Sequence, residues 1–207
     1  MWLSSLKTLW VATVLIVSLD SIRAEDSFQD VNAAASLARR VLEDANIGTL
    51  ATVISPYVHY NYTDLPFALL EYYSVQCSST GDPLLYMSDL EVNAKNMHRE
   101  PRVSLSVRAL QDYNPGGSQS PIQQPRFSLL GEIEPVPESK FNIALSCFLA
   151  VHPEAAPWQR FHDFKFYKLK VSAVYYVGGY GGLNYIGWIP LSVYQQAQPD
   201  ARMKLQT

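Results

Sequence analysis

The sequence predicts a mainly β protein of the α+β class, in which a closed β-barrel carries a few peripheral helices. Runs of β-branched and aromatic residues of strand length recur along the chain, and tyrosine is abundant at 13 residues. Six such runs can be counted, and short stretches with helical spacing of apolar residues separate some of them. The chain shows no internal repeat. Strands of modest length with interspersed helices favour a barrel that closes on itself.

Composition narrows the functional classes. The chain has 207 residues, which is the length of one domain or of one domain with a tail. Charged residues make up 17% of the chain, below the average of about 25% in soluble proteins, and 48% is hydrophobic, which excludes intrinsic disorder. The formal charge is -3. Without a basic field, the sequence predicts no nucleic-acid partner.

Residues 1–24 have the pattern of a secretory signal peptide. Lys7 supplies a positive charge, Leu9 to Leu19 is almost wholly apolar, and Ala24 is in place for cleavage. The apolar run is too short to cross a hydrocarbon layer of about 30 Å. We therefore expect secretion without stable membrane insertion, the alternative being an uncleaved anchor. The predicted mature domain covers residues 25–207, with its ordered core at about 30–194.

The first half of the mature chain predicts one helix and three strands. Ser27 to Asp30 resembles a capping box that opens the helix, and Gly48 is the expected stop. The β-branched run Thr49–Ser55 predicts the first strand. Ala68–Gln76 and Leu84–Met87 predict the next two, which form a hairpin around a Gly-Asp-Pro turn.

A second capping box, Ser88 to Glu91, predicts a short helix that runs to about His98. Arg102–Ala109 then alternates apolar and polar residues with the period of a half-buried strand. After a long loop rich in Gln, Ser, Gly and Pro, Arg126–Glu134 predicts a fifth strand in which Gly131 indicates a bulge.

The last part of the chain predicts a helix, a long strand and a short helix. The first helix runs from Pro137 to about Val151, and the second begins at Pro190. Between them, Phe164–Val177 is a strand whose apolar residues change phase near Tyr167 and Lys168. Such a change indicates a bulge or bend that helps to close the barrel.

The motifs of common enzymes are absent from the sequence. It contains no Gly-x-Ser-x-Gly nucleophile elbow, no Walker loop, no CxxC pair and no pair of histidines with metal-ligand spacing. The glycine cluster at 178–182 lacks the third glycine and the following βαβ unit of a dinucleotide site, so we interpret it as a turn. The residues predict no catalytic and no metal-binding position.

Two features gain meaning from secretion. Asn61-Tyr62-Thr63 is an N-glycosylation sequon in a polar stretch, so Asn61 is the expected glycan site. Cys77 and Cys147 allow one internal disulfide, which would contribute roughly 4 kcal/mol by closing a loop of about 70 residues. The alternative is that Cys147 is a buried free thiol in an apolar helix.

Four stretches in order resemble the CREG family of secreted glycoproteins, named for cellular repressors, within the FMN-binding split-barrel superfamily. They are ARRVLEDANIGTLATVIS (38–55), PLLYMSDLEVNAKNMHREPRVSL (83–105), FLAVHPEAAPW (148–158) and FHDFKFYKLKVSAVYYVGGYGG (161–182). The resemblance implies a six-stranded split barrel that forms a homodimer.

The superfamily also includes enzymes similar to pyridoxamine phosphate oxidases and haem-degrading proteins. In the oxidases, the flavin phosphate is held near the third strand and the helix after it, which matches residues 86–96 here. The resemblance therefore marks Ser88 and Lys95 as phosphate ligands of flavin mononucleotide (FMN), the one candidate cofactor. Their alternatives are a helix cap for Ser88 and a solvated side chain for Lys95. The paired basic residues of the oxidases fall on Val92 and Asn93 here.

Together these observations favour a secreted or endolysosomal CREG-like glycoprotein that is non-catalytic and acts through protein partners, such as a sorting or cell-surface receptor. The alternative is an FMN-dependent oxidoreductase of the same superfamily. No general acid or base stands out in the sequence, which favours the first hypothesis.

Overall fold

A computed structural model describes residues 29–110, 120–180 and 184–199. Its strands form one antiparallel sheet in the order β3-β2-β1-β4-β5-β6-β7, and a further pairing of β3 with β6 closes the first six into a barrel. The strands are β1 (Ile47–Val53), β2 (Pro66–Ser74), β3 (Leu84–Ser88), β4 (Arg102–Arg108), β5 (Arg126–Pro135), β6 (Phe164–Val177) and β7 (Ile186–Ile189). The predicted six-stranded split barrel with peripheral helices is thereby confirmed.

The α-helices lie outside the strands of the barrel. They are α1 (Val31–Ala45), α2 (Val92–Met97), α3 (Phe141–Leu149) and α4 (Leu191–Gln196). Asp30 is the N-cap of α1, since its carboxylate accepts a hydrogen bond from the backbone N–H of Ala33 at 2.7 Å. The predicted cap, Ser27, and the predicted signal peptide lie outside the described residues. None of the described helices is long and apolar enough to cross a membrane.

The end of α1 corrects the prediction that Gly48 stops the helix. Asn46 does so instead, in the left-handed conformation with φ 55°. The strand therefore begins at Ile47, two residues before the predicted start. Gly48 lies within β1, where an added Cβ would come within 2.9 Å of the Leu105 side chain. A close approach of two strands, and not a helix stop, requires this glycine.

One main core fills the barrel and extends under α1. The inward residues of β1, β3, β4, β5 and β6 alternate along each strand, and their fully buried members include Leu50, Leu85, Leu105, Leu129 and Leu169. Alanines on α1 let that helix approach the barrel closely, since Ala34, Ala35 and Ala38 are all fully buried. This arrangement confirms the alternation predicted for β4.

A second, aromatic core lies outside the barrel between β3, β6 and α3. Its buried members include Tyr86, Phe148 and Phe166, and the rings of Tyr86 and Phe166 stack with centroids 4.0 Å apart. Phe166 therefore packs outward and Tyr167 inward, and both are buried because both faces of the sheet are covered. The register is regular here, so the bulge predicted near Tyr167 and Lys168 is wrong.

The irregularity in β6 lies further along, opposite Gly131. The register with β5 shifts between Leu130 and Gly131, which leaves Ser172 without a partner in the pairing. After this point Val174 and Tyr176 face the core. The sequence pattern predicts that Ala173, Tyr175 and Val177 face it instead. The bulge predicted at Gly131 is confirmed, although the extra residue belongs to the neighbouring strand.

The last strand, β7, is not predicted by the sequence pattern. Its four residues pair with Val174–Val177 of β6. The segment Ile-Gly-Trp-Ile carries apolar residues on both faces, since Ile186 and Trp188 are exposed and Ile189 is buried, so its sequence lacks the apolar–polar alternation of a half-buried strand. Pro190 follows and leads into α4, as predicted.

Replacing Gly131 by alanine tests the packing at the bulge. A Cβ at this position would lie 2.0 Å from the backbone oxygen of Lys170, so β6 would have to move. We expect Gly131→Ala to lower the free energy of unfolding by about 1–3 kcal/mol, measured by urea denaturation. Ser104→Ala, a small change on the adjacent strand β4, should stay within about 0.5 kcal/mol of wild type. Equal effects of the two substitutions would contradict this account.

Candidate functional site

Ser88 ends β3 and is buried, with Asp89 and Leu90 forming a turn before α2. Its backbone N–H donates to Oε1 of Glu91 at 3.0 Å, and its hydroxyl oxygen accepts from the backbone N–H of Leu90 at 3.0 Å. These contacts resemble those of a capping box, yet the N-cap of α2 is Glu91 and its side chain makes no capping hydrogen bond. The predicted cap at Ser88 is therefore a cap of the turn, not of the helix.

Carboxylates surround this turn. The Ser88 hydroxyl donates to Oδ2 of Asp163, and the Tyr167 hydroxyl donates to Oδ1 of Asp89 at 2.6 Å. Lys165 forms an ion pair with Asp89. Burial would raise the pKa of Asp89, but the hydrogen bonds from Lys165 and Tyr167 outweigh it and hold the pKa below its usual range. The cation nearest to the turn is thus already paired.

Lys95 lies apart from Ser88. It is exposed on α2, and no hydrogen bond or ion pair in the described part of the chain joins the two residues. Neither residue is among the lining residues of a groove on the sheet or of three further cavities in the described part of the chain. The resemblance pairs the two residues into one phosphate site, and the structure places Ser88 at the end of β3 and Lys95 within α2.

Beneath α2 lies a buried polar cluster, here called the carboxyl network, made of Thr52, Glu71, Asn93 and Asn96. Asn93 donates to Oε1 of Glu71 at 2.7 Å and accepts from the Thr52 hydroxyl at 2.9 Å. Asn96 donates to the Thr52 oxygen at 3.0 Å, and its own oxygen accepts from the backbone N–H of Ser55 at 2.9 Å. The network ties α2 to β1 and β2 and binds the backbone N–H of Ser55, two residues after the end of β1.

Glu71 is the unusual member of this network. It projects from β2 to the same side as Gly48, its partner in the register, and it is 6% exposed. Burial raises the pKa of Glu71 to about 7, against the hydrogen bond from Asn93, and the nearby carboxyl of Glu91 adds to the rise. The sequence analysis took Glu71 as an ordinary strand residue. A single acid among apolar residues in a predicted strand was the available signal.

This chemistry does not fit an FMN phosphate. The resemblance places that phosphate at residues 86–96, where Asn93 takes the place of a basic residue and is occupied with Glu71. A dianion there would meet the carboxyl groups of Glu91 and Asp163, which contact Ser88, with Lys95 as the cation that the resemblance supplies. Like charges in a partly buried site disfavour such binding.

The other predicted sites lie elsewhere. Cys77, which is exposed after β2, and Cys147, which is buried on α3, form a disulfide with a Cα–Cα distance of 5.7 Å. Asn61 is exposed on a 3₁₀ turn, Tyr60–Tyr62, and the hydroxyl of Thr63 donates to the Tyr60 carbonyl oxygen at 2.8 Å. Within the described ranges, no group of three or more His, Cys, Asp or Glu residues could hold a metal ion.

Comparison with known proteins identifies the relatives of this chain. A family model described as "CREG, beta-barrel" matches residues 29–196. Protein CREG1 of Gallus gallus is 25% identical over 166 residues, which cover 74% of this chain and 82% of that protein. The non-canonical heme oxygenase HOZ of Arabidopsis thaliana, a chloroplastic protein, is 30% identical over 142 residues, which cover 68% of this chain and 39% of that protein.

Solved structures give the same fold. A heme-binding protein from Mycobacterium smegmatis superimposes with a TM-score of 0.67 at 26% identity, over 81% of this chain and 62% of that one. The heme storage protein HutZ from Vibrio cholerae superimposes with a TM-score of 0.51 at 14% identity, a likeness of fold alone. The chain thus spans less than two thirds of the Arabidopsis and mycobacterial proteins.

The buried carboxyl of Glu71 makes a testable contribution to stability. Because burial raises the pKa of Glu71 from 4.5 to about 7, the folded state holds this proton more tightly than the unfolded chain. The resulting stabilisation is complete below about pH 4.5 and is lost as the pH rises through about 7. Relative to Glu71→Gln, wild type should lose on the order of 3 kcal/mol between acid and alkaline pH, measured by denaturant unfolding.

The exposed acid Glu132 on β5 provides the control for this measurement. Glu132→Gln should follow the wild-type pH profile. A Glu71→Gln variant with the same pH dependence as wild type would show that Glu71 does not titrate between these limits.

Proposed function

Because the chain belongs to the CREG β-barrel family, we propose that it is a secreted or endolysosomal glycoprotein that acts through protein partners and not by catalysis. The observation that carries the non-catalytic part is the carboxyl network. Its Asn93 stands where, by the resemblance, the oxidases carry a basic phosphate ligand, and the Asn93 side chain is held by the buried carboxyl of Glu71.

Three features support targeting of the protein to the secretory pathway. Residues 1–24 have the signal-peptide pattern, and Asn61 lies exposed in a sequon. The disulfide between Cys77 and Cys147 is the kind of crosslink that persists in oxidising compartments. A glycan on Asn61 would extend from the 3₁₀ turn into solvent, where a sorting or cell-surface receptor could bind it.

We also propose that the protein is a homodimer, as the family resemblance implies. Large apolar side chains remain exposed outside any cavity, among them Val53 on β1, Leu69 on β2 and Leu90 before α2. A second copy of the chain would cover such side chains. The proposal includes neither a nucleic-acid partner nor stable insertion into a membrane.

Expression in a secretory cell line tests the glycoprotein proposal. We expect the protein in the medium, beginning at Glu25, with an N-glycan that an N-glycosidase removes with a matching loss of mass. Asn61→Gln and Thr63→Ala should both lack the glycan. Thr63→Ser is the matched control, because it retains the sequon and should retain the glycan. Cytosolic, unmodified protein with free thiols would contradict the proposal.

An absorption spectrum tests whether the protein retains a flavin, which the oxidoreductase alternative requires. The purified secreted protein, incubated with FMN and then gel-filtered, should retain no flavin bands, because the site faces a dianion with acids. The same spectrum reports haem through its Soret band after incubation with hemin. Retained flavin that is lost in the Ser88→Ala, Lys95→Ala double variant would establish the phosphate site and the oxidoreductase alternative.

A further inference from the structure

A groove of about 490 Å³ lies on the outer face of the barrel and includes none of the residues 86–96. Its floor follows from the strand registers. Tyr175, Ser128, Ser106, Thr49 and Leu70 are successive cross-strand partners on β6, β5, β4, β1 and β2, so they form one row across the sheet. Its volume falls within the range of small-molecule sites.

Two arginines form the next row of this floor. Arg108 on β4 and Arg126 on β5 are directly opposite each other, and Val177 on β6 lies opposite Arg126. Both arginines line the groove. Like charges at directly opposed positions of an antiparallel pair are destabilising. The preceding pair on the same face, Ser106 and Ser128, is neutral, and its hydroxyls share a hydrogen bond of 2.8 Å.

Within the described residues, neither arginine forms an ion pair with a carboxylate. Arg126 donates to the Gln124 carbonyl oxygen at 3.4 Å, and its guanidinium lies over the Tyr180 ring at 5.4 Å from the centroid. These contacts orient Arg126 without neutralising it. Two cations are therefore held side by side on a chain whose formal net charge is -3.

We propose that this groove, here called the anion groove, binds a small organic anion. Its carboxylate or phosphate group would bridge Arg108 and Arg126, since a planar guanidinium donates two parallel hydrogen bonds to either group. Its apolar body would lie along Leu70, Tyr175 and Val177, which makes an inorganic ion a poorer ligand. Binding would relieve the repulsion between the arginines. The inference does not depend on secretion or glycosylation.

Fluorescence titration with 8-anilinonaphthalene-1-sulfonate, an aromatic anion, tests the proposal on the full mature chain. The uncharged N-phenyl-1-naphthylamine is the matched probe. We expect the Arg108→Gln, Arg126→Gln double variant to bind the anionic probe at least tenfold more weakly and the neutral probe within twofold of wild type. Arg99→Gln, which removes an exposed charge on another face, should leave both affinities unchanged.

Competition identifies the anionic group. Decanoate and decyl phosphate should displace the anionic probe from wild type, and the more effective of the two reports whether the site prefers a carboxylate or a phosphate. Decanol should displace it far less well. Equal displacement by all three compounds would show that the arginines do not bind the anionic group, and this would overturn the proposal.

Folding and association are controlled on the same samples by circular dichroism and light scattering. The Arg108→Lys, Arg126→Lys variant retains both charges but loses the planar fork, so its affinity should lie between wild type and the glutamine variant. Unchanged affinity in folded glutamine variants would overturn the proposal. So would a loss of binding confined to samples whose mass also falls, because the arginines would then belong to an interface between copies.

Discussion

The pairing of β3 with β6 is the interaction on which the rest of the structure depends, because it closes the barrel. Residues 84–88 pair with 164–168 in a regular antiparallel register. Asp82, buried just before β3, reinforces the seam. Its carboxylate accepts from the backbone N–H of Val171 at 3.1 Å and pairs with Lys168 at 3.2 Å. Closure pairs all five residues of β3 with β6 and brings residues 75 or more positions apart into contact.

The closed seam also determines what surrounds residues 86–96. It brings Asp163 to the Ser88 hydroxyl and Lys165 to Asp89. The polar and charged side chains of the turn before α2 are therefore paired with residues at the start of β6. On the opposite side of α2, Asn93 satisfies the buried carboxyl of Glu71. Internal acid–amide contacts therefore occupy the space beneath α2. The outer face of the sheet, by contrast, retains two unneutralised arginines among its described residues.

The predicted strands were found because their residues are buried on one face and exposed on the other, as in β4. Prediction failed where that condition does not hold. Phe166 and Tyr167 are buried on opposite faces, β7 buries little, and the phase of β6 changes at Ser172 because of a contact with another strand. Of the site residues, Ser88 was predicted as a helix cap and instead caps the turn before α2, and the role of Glu71 depends on partners on α2 and β1.

The sequence alone determined the local features of this protein: the amphipathic first helix, the alternating strands, the bulge at Gly131, the sequon at Asn61 and the stretches that resemble the CREG family. These depend on neighbouring residues or on short periods. Tertiary structure alone decided the pairing of Cys77 with Cys147, the raised pKa of Glu71 and the opposition of Arg108 and Arg126. Each depends on burial or distance between residues far apart in the chain, which only the closed sheet brings together.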